Sequence, residues 1–338
     1  HIGLLKAKIA KLKREQETEQ VKKSAKKQDG FDVKRTGDAT VVFIGLPSVG
    51  KSTLLNRLTG SKSAIGAYQF TTLTVVPGVM NYRGARIQVL DLPGIIKGAS
   101  TGKGLGKRIL SVARSADIVL LVLDVFQPYH EDVLINELGN IGIRLNQTPP
   151  DIVIEKSTTG GIAVAQQKKL KKMSEKLLKE ILNIYGYTSA RVVIKEDIES
   201  EQLIDFINGN KTYAKGITIL NKIDLVDEKF LKDVSKKLKT DFIPTSADSN
   251  KNINQLKERI YNELKFIRIY LRPKGGETDF KEPLIVRKGN TVADVCNKLH
   301  RNMKKDFRYG LVWGKSVKFG GQRVGLNHIL IDEDVLTV

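Results

Sequence analysis

The chain is short of cysteine, histidine, aromatic residues and acidic residues, and it has no long apolar run. Its one cysteine, Cys296, cannot form an internal disulfide. That excludes a disulfide-stapled secreted scaffold and suits a reducing compartment. Four histidines and one cysteine show no cluster at metal-ligand spacing. His130, in Pro-Tyr-His-Glu-Asp, and His300 are read as surface or helix residues rather than catalysts. No run approaches the roughly 20 apolar residues that a membrane helix needs; the best, Ile118–Leu123, reads as one buried strand. A signal-peptide pattern is missing, and the sequence opens on His rather than Met, so a few preceding residues are expected. The expected location is cytoplasmic, with no membrane partner.

What is abundant is positive charge. The formal net charge is +20, on a chain that is 41% hydrophobic and 28% charged, an ordinary balance for a folded protein. The excess is concentrated at the ends. Residues 1–35 carry 11 Lys/Arg against 5 Asp/Glu, residues 265–338 carry 15 against 8, and the 229 residues between hold only +7. Such ends concentrate polyanions and favour nucleic acid. Without clear aromatic interleaving, they point to backbone rather than base-specific contact.

Several composition changes divide the chain. Residues 1–38 read as a basic helical arm, with Leu5, Ile9 and Leu12 at helical spacing and a charged stretch behind them. From residue 39 to 141 short apolar strands alternate with helices: Val41–Gly45, a helix from Lys51, then Arg86–Leu92 and Asp117–Asp124. The alternation resumes over 216–264 with strands Gly216–Asn221 and Phe242–Pro244 and helices near Glu228–Leu238 and Asn254–Leu264. This predicts an α/β domain with a mostly parallel sheet covered by helices on both faces. Ligands of such sheets bind outside the carboxyl ends of the strands. Between the halves, 142–215 reads as an inserted small α/β subdomain. It holds a strand at Asp151–Glu155 and an amphipathic stripe of Leu170, Met173, Leu177, Ile181 and Ile184. Residues 265–338 suggest a compact ubiquitin-like fold: strands Phe266–Leu271 and Leu284–Val286, a helix Thr291–Met303, and strands at Leu311–Trp313 and Val317–Phe319.

The chemistry lies at the predicted strand ends. Gly45-Leu-Pro-Ser-Val-Gly-Lys51-Ser52 follows a strand and opens a helix, as a phosphate-binding loop must. Its backbone N–H groups and the helix N-terminus would face the β- and γ-phosphates, with Lys51 on the phosphate oxygens and the Ser52 hydroxyl on magnesium. Asp91-Leu-Pro-Gly94 closes the next strand. Asp91 would reach magnesium through water, and the Gly94 N–H the γ-phosphate. In Phe70-Thr71-Thr72-Leu73 a loop threonine can complete the magnesium shell. Asn221-Lys222-Ile-Asp224 decides the base. An ionised Asp224 accepts from guanine N1–H and the 2-amino group, whereas adenine has no donor there and would leave the carboxylate unpaired. Asn221 would brace this site, the Lys222 stem would cover a ring face, and Thr245-Ser246-Ala247 would bring a backbone N–H to guanine O6. Together these specify GTP over ATP. Ile95 stands where many GTPases place a water-orienting Gln, so slow intrinsic hydrolysis is expected. The glycine-rich stretch after it, Gly98 to Gly106, has the flexibility of a switch.

The loop Gly45–Ser52, Tyr68-Gln-Phe-Thr-Thr-Leu73, Asp-Leu-Pro-Gly-Ile-Ile96 and Gly142-Ile-Arg-Leu-Asn146, with Leu311-Val-Trp-Gly-Lys-Ser and Gln322-Arg-Val-Gly325, closely resemble the developmentally regulated GTP-binding (DRG) proteins. These belong to the Obg-related GTPases, and the resemblance covers essentially the whole chain. It implies a P-loop GTPase domain interrupted by an S5-domain-2-like insert, with a C-terminal TGS domain. It also implies association with ribosomes and RNA in translation, zinc-finger regulatory partners in eukaryotic members, and potassium-favoured hydrolysis. Related cation-dependent GTPases usually carry Asn where this chain has Ser48. The implied nucleotide contacts are Gly45, Ser48, Val49, Gly50, Lys51, Ser52 and Thr53 in the loop, and Asn221, Lys222, Asp224, Ser246 and Ala247 at the base. Alignment favours Thr72 over Thr71, making Ser52, Thr72 and Asp91 the magnesium set and Lys51, Thr72 and Gly94 the catalytic set. The expected function is a magnesium-dependent GTPase switch. The alternative is a ribosome- or RNA-binding adaptor in which the nucleotide is mainly structural.

Overall fold

A computed structural model describes residues 36–60, 68–70, 73–92 and 112–338. Residues 1–35 of the N-terminal arm, Thr72, Gly94, Ile95 and the glycine-rich stretch lie outside the described residues.

The chain first lays down β1 (Ala39–Gly45), α1 (Lys51–Thr59), β2 (Tyr68–Phe70), β3 (Leu73–Tyr82), β4 (Ala85–Asp91), β5 (Ile118–Asp124) and α2 (His130–Asn140). Next come β6 (Ile143–Leu145), β7 (Ile152–Lys156), β8 (Ile162–Gln166), α3 (Glu175–Ile184), β9 (Ala190–Ile194), α4 (Ser200–Asn208) and β10 (Thr212–Asn221). The remainder forms α5 (Glu228–Ser235), β11 (Phe242–Pro244), α6 (Ile253–Glu263), β12 (Phe266–Leu271), β13 (Leu284–Arg287), α7 (Val292–Leu299), β14 (Gly310–Trp313), β15 (Gln322–Val324) and β16 (Val335–Thr337).

The large sheet runs β11-β10-β5-β1-β4-β3-β2. Its five strands from β11 to β4 are parallel, and β3 and β2 add an antiparallel edge. Every residue of β1 is buried, and only Asp124 of β5 is not, as continuous apolar strands between two helical layers require. Helices α1 and α6 contribute Leu54, Leu55, Leu58, Leu256 and Ile260 to one core with Val41, Phe43, Ile87 and Val89. Register puts the carboxyl ends side by side: Phe43 opposite Asp91, Gly45 opposite Val122, and Asn221 opposite Asp124. Each chemical motif leaves the sheet at that edge.

Residues 142–213 form a compact unit of their own. Its sheet runs β7-β9-β8, and α3 and α4 pack on it through Leu178, Ile181, Leu182 and Leu203. The predicted stripe there is split. Leu177, Ile181 and Ile184 lie on α3, but Leu170 and Met173 precede it, because Ser174 caps the helix by accepting the Leu177 N–H. Arg144 chelates Asp205 at 2.7 and 3.1 Å, with Asp205 only 7% exposed.

The C-terminal sheet runs β13-β12-β16-β14-β15, with α7 across one face through Val292, Val295 and Cys296. This is the small mixed sheet with one helix that the sequence predicts. Two local expectations are corrected. The helix stops at Leu299, four residues before Met303, where His300 turns extended. The strand expected at Val317–Phe319 lies instead at Gln322–Val324. Phe319 is 65% exposed, and the chain reverses at Gly320–Gly321, where a Cβ on Gly320 would stand 2.8 Å from the Trp313 ring. This domain is anchored to the large-sheet domain. Phe266 and Ile285 enter the latter's core, Arg287 bonds Asp117 at 2.5 Å, and Lys298 bonds Asp38 at 3.0 Å.

Candidate functional site

β1 ends at Gly45, and the next five residues turn the chain back into α1. Ser48 and Gly50 both take left-handed backbone conformations (φ 64° and 93°) in that turn. Gly50 has a second reason to lack a side chain, since a Cβ there would lie 2.3 Å from Asn221 Nδ2. The loop is therefore pressed against the end of β10. Gly50 also holds the N-cap position of α1 without a side-chain cap, so the first N–H groups of that helix remain available to an anion.

Lys51 is the first residue of α1 and is 7% exposed. Its ammonium donates to Leu46 O at 2.9 Å and Gly45 O at 3.2 Å, which holds the charge inside the loop. Burial lowers its pKa, and the Asp91 carboxylate opposes that shift. Ser52 donates to Asp91 Oδ2 at 2.5 Å. The other oxygen, Asp91 Oδ1, is buried and finds no partner among the described residues. Burial raises the Asp91 pKa, against the pull of the Ser52 hydrogen bond and the Lys51 charge. A hydroxyl beside an orphaned buried carboxylate oxygen is a hard-oxygen donor set, and it fits a magnesium ion. Ser52 and Asp91 can hold such an ion; Thr72, the third expected ligand, is not among the described residues.

The loop and the base motif are joined through one buried side chain. Asn221, 2% exposed, donates from Nδ2 to Val49 O at 2.9 Å and accepts the Ala247 N–H on Oδ1 at 3.1 Å. Arg57, on α1, makes a second tie by donating to Ala247 O at 2.7 Å and Asp248 O at 2.9 Å. Lys222 takes a left-handed φ of 67°, and its ammonium meets Asp124 Oδ2 at 2.7 Å. Asp224 follows in a short 3₁₀ turn and is exposed, as a residue must be to accept from a base. Ser246 and Ala247 are buried, and both N–H groups are engaged: Ser246 N–H with Lys251 O, Ala247 N–H with Asn221. A base oxygen at this edge would share the Ala247 donor with Asn221.

Thus the structure brings Gly45, Ser48, Val49, Gly50, Lys51, Ser52, Thr53, Asp91, Asn221, Lys222, Asp224, Ser246 and Ala247 to one edge of the sheet. Asp124 and Arg57 were not singled out from the sequence. Asp124 had a signal, an acid ending an apolar strand; Arg57 had none, because its partners are backbone carbonyls far along the chain. His130 opens α2 with its ring against Tyr129, and His300 accepts the Asn302 N–H, so neither joins this edge. No group of three or more metal-ligating side chains occurs among the described residues.

The fold and this edge define a P-loop GTPase domain carrying a TGS domain. Family models agree: "50S ribosome-binding GTPase" matches residues 40–156, the "C-terminal region of MMR_HSR1 domain" 159–266, and "TGS domain" 267–338. The chain is 52% identical to an uncharacterized GTP-binding protein of Methanocaldococcus jannaschii, over 100% of this chain and 86% of that one. It is 44% identical to the Developmentally-regulated GTP-binding protein 1 of Xenopus laevis, over 100% and 92%. With the Ribosome-interacting GTPase 1 of Saccharomyces cerevisiae it shares 43% identity over the same proportions. The chain belongs to the developmentally regulated GTP-binding protein family.

Proposed function

We propose that the protein hydrolyses GTP as a magnesium-dependent switch and engages the ribosome in its GTP-bound form. The observation that carries this reading is the Asn221 clamp, which hydrogen-bonds the phosphate loop to the base-reading segment. Lys51 and the N-terminus of α1 supply positive charge for the β- and γ-phosphates. Asp224 accepts from guanine, and the Lys222 stem, tethered by Asp124, lies over the base. Magnesium held by Ser52, Asp91 and Thr72 would neutralise charge on the transferring phosphoryl group. The Gly94 N–H would meet the γ-phosphate.

Ile95 has no polar atom with which to orient the attacking water. Intrinsic hydrolysis is therefore slow, and a monovalent cation such as potassium, or a partner, completes the site. The ribosome reading is supported by the names of the relatives and by the positive ends of the chain; a zinc-finger regulator is the expected protein partner of a eukaryotic member. The expected location is the cytoplasm, and among the described residues no helix is long and apolar enough to cross a membrane. Single-turnover GTP hydrolysis, measured with and without magnesium, potassium and purified ribosomes, tests this. The expected result is no turnover without magnesium and acceleration by potassium or ribosomes. A rate that the chain reaches alone and that neither changes would refute it.

A further inference from the structure

The C-terminal sheet has two faces of opposite chemistry. In β12, Ile267 and Ile269 are buried under α7, so Arg268, Tyr270 and Arg272 belong to the opposite face. In β14, Gly310 and Val312 are buried, which turns Tyr309, Leu311 and Trp313 outward; in β15, Val324 points in and Arg323 out. Register makes these neighbours, with Leu311 opposite both Arg323 and Thr337. The outward face thus gathers rings and cations that are scattered in sequence.

The cations sit on the rings. The Arg272 guanidinium lies 5.0 Å from the Trp313 ring centroid, and that of Arg323 lies 4.1 Å from Tyr309. Lys274 approaches the other contact at 6.0 Å from Tyr309. All three cations are exposed, and Tyr309 is 36% exposed. None of the three forms an ion pair among the described residues. Of the acids nearby, Asp332 and Glu333 are paired with Arg268 at 2.7 and 2.8 Å, and Asp279 accepts the Lys281 N–H. Net charge over residues 265–338 is +7. The aromatic interleaving absent from the linear sequence is therefore present on the folded surface.

From this we infer that the exposed part of this face, at Tyr309, Arg272 and Arg323, binds single-stranded RNA. Rings on an exposed sheet accept unstacked bases with little sequence preference, and guanidinium groups held beside them reach the flanking phosphates. A duplex keeps its bases stacked and cannot use the rings, so single strands are favoured. This inference rests on the proposed engagement of the ribosome and names an RNA-binding surface for it.

Fluorescence anisotropy of a labelled oligouridine of about 12 nucleotides, titrated with the full chain, tests it. Tyr309→Ala should weaken binding about tenfold while Tyr309→Phe stays within about twofold, because stacking needs the ring and not the hydroxyl. Arg272→Gln and Arg323→Gln, both at exposed positions, should each lower the slope of log affinity against log salt by about 0.7. A duplex of the same length should compete at least about tenfold more weakly, since its bases are unavailable to the rings. Should both arginine variants and Tyr309→Ala bind the oligonucleotide like the parent, this face is overturned while RNA association survives. Equal competition by a polyglutamate peptide would overturn it in favour of an acidic protein partner. If the parent chain bound neither oligouridine nor ribosomes, the broader reading would fall as well.

Discussion

Replacing Asn221 with alanine removes the buried side chain that joins the phosphate loop to the base-reading segment. The side chain is 2% exposed and makes two hydrogen bonds, to Val49 O at 2.9 Å and from the Ala247 N–H at 3.1 Å. Each bond contributes about 0.5–1.5 kcal/mol, and a buried donor or acceptor left unpaired costs about 1–3 kcal/mol. Water entering the space left by the amide would recover part of that. A loss of about 2–4 kcal/mol in unfolding free energy follows, accompanied by a fall in affinity for GTP and GDP. Asp224→Asn is the matched control. Asp224 is exposed and outside the core, so its loss should leave stability within about 0.5 kcal/mol while weakening guanine-nucleotide binding strongly. Urea unfolding of the two variants, with fluorescent-nucleotide titration alongside, separates the effects. An Asn221→Ala protein as stable as the parent, at an unchanged urea dependence, would refute the bracing argument.

Other outcomes follow from single contacts. Asp205→Ala leaves Arg144 without its chelating carboxylate in a half-buried setting. It should destabilise the 142–213 unit by about 3 kcal/mol, seen as earlier proteolytic cleavage within those residues. Asp124→Asn frees the Lys222 ammonium from its 2.7 Å partner and should weaken GDP binding about tenfold without moving the melting temperature. The C-terminal domain should lose stability in acid. Burial pushes the Asp332 pKa up, but the hydrogen bonds and charge of Arg268 prevail and hold it below its ordinary value. The resulting stabilisation is complete above about pH 4 and is lost as the pH falls through the lowered pKa. Melting temperature against pH should show this, with a shallower dependence in Asp332→Asn.

How much was legible in the sequence varied with the range of the interactions involved. The large sheet was readable because its parallel strands are continuous apolar runs, and the phosphate loop because its spacing is fixed by phosphate geometry. Asn221 could be expected at the site, but the identity of its partners could not. Val49 and Ala247 lie 172 and 26 residues away and contribute only backbone atoms. Strand β3 escaped notice because Pro77 and Gly78 interrupt its apolar alternation; at the antiparallel edge such residues are tolerated. The strand expected at Val317–Phe319 failed for the converse reason. Two apolar residues in alternation look like a strand, but the Gly320–Gly321 reversal beneath Trp313 places the pairing segment later. The aromatic and cationic face of the C-terminal sheet was invisible in linear order, since strand pairing alone brings Arg272 to Trp313 across 41 positions.

The central claim is that nucleotide state governs ribosome engagement. Its most direct test is the affinity of the full chain for purified ribosomes, by co-sedimentation, with a non-hydrolysable GTP analogue, with GDP, and for Lys51→Ala. The account predicts tight binding only with the GTP analogue, and weak binding for both GDP and the variant. Equal affinity in all three would contradict it and leave an adaptor in which the nucleotide is structural.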